Sequence, residues 1–121
     1  MKIIYQNKVK ALGNCVEEFK DANMFILFGN NAPEELRDYC YSVDVVPLEG
    51  TIAAGQTLKI GDSAYRITAV GSEAPVTLAG LGHCTVNFSG QSTVELPGTI
   101  YVENKPMPEI AVGTAIQIIE D

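Results

Sequence analysis

Apolar and polar residues alternate with a period of two over much of this chain, and turn residues cut the alternation into short pieces. Residues 3–12 read as a strand, with imperfect alternation from Ile4 through Val9 to Leu12, and Gly13-Asn14 breaks it. Residues 15–21 fit one short helical turn. Met24-Phe25-Ile26-Leu27-Phe28 reads as a buried strand ended by Gly29-Asn30-Asn31. A helix is predicted over residues 33–41. Asn31 can cap it, Pro33 suits its first turn, Glu34 and Glu35 suit the positive end of its dipole, and i,i+4 spacing puts Leu36 and Cys40 on one face.

After Pro47 the pattern becomes short strands at 57–60, 65–70, 84–88, 93–96, 99–103 and 115–119. Gly61-Asp62, Gly90-Gln91 and Pro97-Gly98 separate them. Between Gly71 and Gly82, Leu78 and Leu81 at i,i+3 allow one short helix, weakened by Pro75 and the glycines. Ile52-Ala53-Ala54-Gly55-Gln56-Thr57-Leu58-Lys59-Ile60 echoes Ile110-Ala111-Val112-Gly113-Thr114-Ala115-Ile116-Gln117-Ile118: an apolar anchor, a glycine turn, then an alternating strand. A duplicated strand unit within a barrel and two strands entered by similar turns both account for it, the second more simply for so short a match. The expected fold is mainly β, a small closed or partly closed barrel with one or two short helices.

The chain has 121 residues, of which 46% are hydrophobic and 19% charged, which fits one ordered domain over residues 1–121 and excludes a disordered chain. Fifteen acidic against eight basic side chains give a net charge of −7. That surface repels nucleic acid and anionic membranes and favours a partner with a basic face. The longest apolar run, residues 24–28, is far short of the roughly 20 residues of a spanning helix, and the first eight residues lack the apolar core of a secretory signal. A cytoplasmic protein without membrane insertion is expected. Cys15, Cys40 and Cys84 are odd in number, widely spaced and in no CxxC pair, so neither a disulfide framework nor a metal site is expected.

His83, the single histidine, is the one residue whose position suggests chemistry. If residues 83–88 are extended, His83, Thr85 and Asn87 share one face and Cys84, Val86 and Phe88 face the core. No Asp, Glu, Lys or Arg occurs from Ala74 to Val94, so no sequence-local carboxylate opposes an anion approaching the ring. Gly80 and Gly82 leave the backbone free to turn amides toward phosphate oxygens. A neutral imidazole keeps a lone pair and can accept a phosphoryl group. Arg66, Gly82 and Thr85 are the candidate phosphate-stabilising residues, Arg66 by its charge from a neighbouring strand. The alternative assignments are an ordinary packing histidine, an ordinary surface arginine and inert cysteines.

Five ordered segments resemble one family, the glucitol/sorbitol-specific IIA components of the bacterial phosphotransferase system. They are Ile4-Tyr5-Gln6, Ala32-Pro33-Glu34-Glu35-Leu36-Arg37-Asp38-Tyr39-Cys40, Ile67-Thr68-Ala69-Val70-Gly71-Ser72, Leu81-Gly82-His83-Cys84-Thr85 and Leu96-Pro97-Gly98-Thr99. The resemblance implies a cytoplasmic phosphocarrier without a cofactor. Such a protein accepts a phosphoryl group from the phosphohistidine of the general carrier HPr on its own histidine. It then passes the group to the IIB component, so that the sugar alcohol is phosphorylated during uptake.

One segment departs from the family pattern. In enteric members a histidine just after the Tyr-Cys pair is the assigned acceptor, whereas here the chain reads Tyr41-Ser42-Val43-Asp44-Val45, with Val43 at that position. Either His83, which matches a histidine in the family's Leu-Gly-His stretch, is the acceptor, or this chain is a non-catalytic acidic β-barrel with a binding or regulatory role. A histidine-based hydrolase is disfavoured, because no Ser or Cys nucleophile is paired with His83 in any motif. A homo-oligomer is compatible with the sequence.

Overall fold

A computed structural model describes residues 2–29 and 32–120. Among the described residues, nine strands form one strongly curved sheet: β1 (Lys2–Lys8), β2 (Ala11–Leu12), β3 (Met24–Gly29), β4 (Tyr41–Val43), β5 (Thr57–Ile60), β6 (Ser63–Val70), β7 (Cys84–Asn87), β8 (Thr99–Val102) and β9 (Ala115–Glu120). A 3₁₀ segment (Val16–Ala22) precedes β3, and two short helices, α1 (Glu34–Arg37) and α2 (Ala74–Leu81), lie before β4 and β7. The strand order is β1-β9-β5-β6-β8-β7-β3-β4-β2.

The sheet is not closed, yet its two ends are consecutive in the chain. The Val9 N–H donates to Thr114 O at 3.0 Å on one side, and the Lys10 N–H donates to Ser42 O at 2.7 Å on the other. Two residues thus bend the sheet back toward itself. β6 serves both halves: its first residues pair with β5 and its last with β8, with an irregularity between Ile67 and Ala69 that lets the strand turn. The result is the mainly β, partly closed barrel-like fold that the alternation predicts.

Period-two burial fills the interior. Leu58 and Ile60, Tyr65 and Ile67, Val86 and Phe88, and Ile116 and Ile118 are each at most 3% exposed and belong to one core cluster with Ile4, Phe25 and Val43. Burying such a side chain contributes roughly 1.5–3 kcal/mol relative to leaving it exposed. A second, smaller cluster lies on the other face of β3, where Phe28 packs with Ala32 and Cys40.

The echo is a structural one. Gly55 and Gly113 have φ of 97° and 94°, and the N–H three residues after each turn begins closes it: Gln56 to Ala53 O at 3.3 Å, Thr114 to Ala111 O at 3.0 Å. In each turn the last side chain bonds the first amide, Ala53 N–H to Gln56 Oε1 and Ala111 N–H to Thr114 Oγ1. The two strands that follow, β5 and β9, are antiparallel neighbours, with Ile60 opposite Ile116 and Leu58 opposite Ile118.

Three predicted elements are corrected. The helix over residues 33–41 ends at Arg37, because the carbonyls of Asp38 and Cys40 accept the N–H groups of Cys15 and Gly13 and draw the chain out of the helix. Leu36 is therefore exposed while Cys40 is buried, and Tyr41 begins a strand that pairs in parallel with β3. The proposed Asn31 cap lies outside the described residues. Residues 93–96 form no strand: the Glu95 and Leu96 N–H groups donate to the Tyr101 hydroxyl instead of a ladder, and Val94 and Leu96 face solvent. The strand over residues 3–12 is broken at Val9 and Lys10 into β1 and β2, whereas the short helix expected between Gly71 and Gly82 is present as α2, with Leu78 buried and Leu81 exposed. Pro75 sits in the first turn, where its missing N–H costs nothing.

Candidate functional site

His83 lies between the end of α2 and the start of β7, and the local chain explains why it points where it does. Gly82 ends α2 in the left-handed region, φ 69°, and its N–H donates to Leu78 O at 3.0 Å. The His83 N–H donates to Thr77 O at 3.1 Å. β7 then runs antiparallel to β3 with Leu27 opposite Cys84 and Ile26 opposite Thr85. Continued by one residue, that register sets Phe28 opposite His83. The two rings stack with centroids 4.4 Å apart and planes within 15°. Cys84, Val86 and Phe88 are buried, as the alternation predicts, and His83, Thr85 and Asn87 are half-buried on the opposite face.

The imidazole opens onto a groove of about 360 Å³. One wall is α2, through Glu73 and Thr77, which are one helical turn apart. The other wall is the 96–99 segment, and His83 and Thr85 lie between them. Thr85 is level with Thr99 across the parallel β7–β8 pair, which brings two threonines to the groove. α2 is fixed at its start by the carbonyl of Pro97, which accepts the N–H groups of Glu73 (2.9 Å) and Ala74 (3.0 Å). Gly71 makes that approach possible, since a β-carbon there would stand 2.1 Å from the same carbonyl oxygen.

Partial burial lowers the His83 pKa from its ordinary 6.5, so the ring is neutral near pH 7 and one nitrogen carries a lone pair. Burial of Cys84 has the opposite sign for a thiol and pushes it up to about 12, and Cys40 is raised for the same reason. Neither is a thiolate nucleophile near neutral pH. Among the described residues, no group of three His, Cys, Asp or Glu side chains could hold a metal ion, and no helix is long and apolar enough to cross a membrane.

The candidate residues part company here. Thr85 lines the groove beside His83. Gly82 adjoins it, but its N–H is committed to Leu78 O and Gly80 lies within α2, so these glycines shape the backbone rather than present free amides. Arg66 is elsewhere. It is level with Glu103, whose carboxylate accepts the Arg66 N–H at 2.6 Å, and its guanidinium donates to Gly55 O at 3.2 Å. Glu103 is four residues along from Thr99, a rise of about 13 Å, so Arg66 is not at the ring.

Two site residues escape a reading along the chain. Glu73 stands one position before the uncharged stretch begins, and the fold brings its exposed carboxylate to the groove. Phe28 reaches His83 only through strand pairing across 55 positions of sequence. The buried strand at 24–28 and the alternating one at 84–88 are legible along the chain, but their register is not.

Residues 4–117 match the family described as the PTS system glucitol/sorbitol-specific IIA component. The PTS system glucitol/sorbitol-specific EIIA components of Shigella flexneri and of Escherichia coli (strain K12) are each 33% identical to this chain over 117 residues, covering 97% of it and 95% of each relative. The crystal structure of a PTS system IIA component from Enterococcus faecalis V583 superposes with a TM-score of 0.81 at 31% identity, covering 93% of this chain and 97% of that one. With match, identity and fold in agreement over nearly its whole length, the chain belongs to the glucitol/sorbitol-specific IIA components of the phosphotransferase system.

Proposed function

We propose that the chain is a cytoplasmic phosphocarrier that takes a phosphoryl group from phospho-HPr onto His83 and hands it to the glucitol-specific IIB component. The observation that carries this reading is a neutral, half-buried imidazole opening onto a groove shallow enough for another protein's histidine to approach. Position 43 supports it from the other side. Val43 is fully buried in β4, so a side chain there points into the core, where no partner can reach it.

Transfer between two histidines needs alignment more than acid–base help. The lone pair of a His83 ring nitrogen forms the new N–P bond as the donor's N–P bond breaks and its electron pair returns to the donor ring. Between rings that each keep the proton on their other nitrogen, the exchange is balanced, with no proton released. Thr85, which lines the groove beside His83, supplies a hydroxyl donor for a phosphoryl oxygen in this reading. Exposed Val76 and Leu81 on α2, with Leu96 across the groove, supply apolar surface for a docked partner to cover.

The test is incubation with phosphoenolpyruvate and the general phosphotransferase enzymes, read by intact mass. The wild type should gain one phosphoryl group and His83→Gln none. A phosphorylated His83→Gln protein overturns the assignment. An unmodified wild type leaves the non-catalytic binding module as the better reading.

A further inference from the structure

We propose that Phe28 is a positioning residue for His83, a flat rest that holds the imidazole in one orientation, and that the contact between Gly29 and Gly82 exists to bring the two rings together. The inference rests on His83 being the phosphoryl acceptor, and it adds what sets the direction of the reactive nitrogen.

Three observations support it. The rings are nearly parallel at 4.4 Å, closer than the Phe25–Tyr41 or Phe25–Phe88 pairs in the core, at 5.7 and 5.8 Å. A flat ring this close opposes tilting of the imidazole out of the parallel arrangement. Phe28 is itself immobilised: it is 7% exposed, on β3, and packed against Ala32 and Cys40. The backbones behind the rings leave no room for a side chain at position 82. A β-carbon on Gly82 would stand 2.8 Å from the Gly29 nitrogen, and φ at Gly82 is 69°. Any other residue at 82 would push β7 away from β3 at the point where the rings meet.

The orientation matters because in-line transfer depends on the angle of the attacking lone pair, and a freely rotating ring seldom presents it. Phe28 covers one face of the imidazole. The edge, where both nitrogens lie, is left to the groove and to the backbone behind it. The charged and titratable surroundings are few. Glu73 of α2 lines the groove, Cys84 of β7 is on the opposite face of its strand, and Phe28 with its β3 neighbours carries no charge.

The experiment compares the full chain with Phe28→Leu, which keeps a similar apolar volume, and Phe28→Tyr, which keeps the ring. Circular dichroism and thermal melts establish that both fold. Phe28→Leu should form phosphohistidine about three- to tenfold more slowly at saturating phospho-HPr, with little change in the KM for the donor. NMR should show the His83 ring proton signals moving downfield as the ring current of the stacked Phe28 is lost, and Phe28→Tyr should restore rate and signal positions together. An unchanged rate in Phe28→Leu overturns the proposal, as does Phe28→Tyr no better than Phe28→Leu. If no version of the chain is phosphorylated, the carrier reading fails. The NMR spectrum still reports on the stack in that case, and unmoved His83 ring signals in Phe28→Leu would dispose of it too.

Discussion

At the Gly55 and Gly113 turns an added methyl group would enter open space, whereas at Gly82 it would stand 2.8 Å from a neighbouring backbone nitrogen. All three residues have positive φ, at 97°, 94° and 69°. The two turns therefore need glycine for conformation alone. The cap of α2 needs it for conformation and for room. The turns only redirect the chain into β5 and β9, and their amides are closed by their own side chains. The cap presses two segments together, and the histidine follows immediately. Tight approach, rather than a left-handed backbone as such, separates Gly82 from the glycines of the two turns.

The largest test of that contrast is Gly82→Ala, which should lose roughly 2–4 kcal/mol in urea unfolding, from left-handed strain plus the displaced strand. Gly55→Ala and Gly113→Ala should each lose only about 1–2 kcal/mol, from strain alone. Equal losses at all three positions would break the comparison. Within the turns, Gln56→Ala should cost about 1–2 kcal/mol, because buried Gln56 also donates to Thr51 O, and Thr114→Ala about half as much. A reversed ranking would show that the two turns are not equivalent frames with unequal caps.

The smallest expected effect is a pH slope at the site. The folded His83 binds its proton less readily than the unfolded chain does, because burial lowers its pKa below 6.5. Between the folded pKa and 6.5 the unfolded state thus holds more protons, so stability rises with pH through that window and falls as pH drops below 6.5. His83→Gln should remove this component from a comparison of unfolding free energies at pH 5 and pH 8. The same shift lowers the pH at which the ring takes up its second proton, so the acid limb of phosphoryl acceptance should lie lower than for a solvent-exposed histidine.

Strands with one buried face were legible in the sequence. β5, β7 and β9 show period-two burial at the positions the alternation named, and Cys84, Val86 and Phe88 are in the core. The losses came where local pattern and tertiary bonding compete. β4 is three residues long and was hidden behind a helix whose last carbonyls are taken by Gly13 and Cys15. Val94 and Leu96 alternate like a strand, but the Glu95 and Leu96 N–H groups donate to the Tyr101 hydroxyl. The site divided similarly. His83 and Thr85 share a strand face and could be read together. Phe28 and Glu73 come to them through strand pairing and helix placement, and Arg66 leaves because its neighbouring strand meets β8 at the far end.

The pairing of Lys2 with Glu120 at the end of β1 and β9 carries a separate implication. Directly opposed residues of antiparallel strands are about 5 Å apart, so the chain enters and leaves the barrel at one spot. A few linker residues would join those points, and new ends could be opened in the exposed stretch near Val94 without unzipping any ladder. The same geometry would let the barrel be carried within a loop of a larger polypeptide, with His83 still turned to the outside.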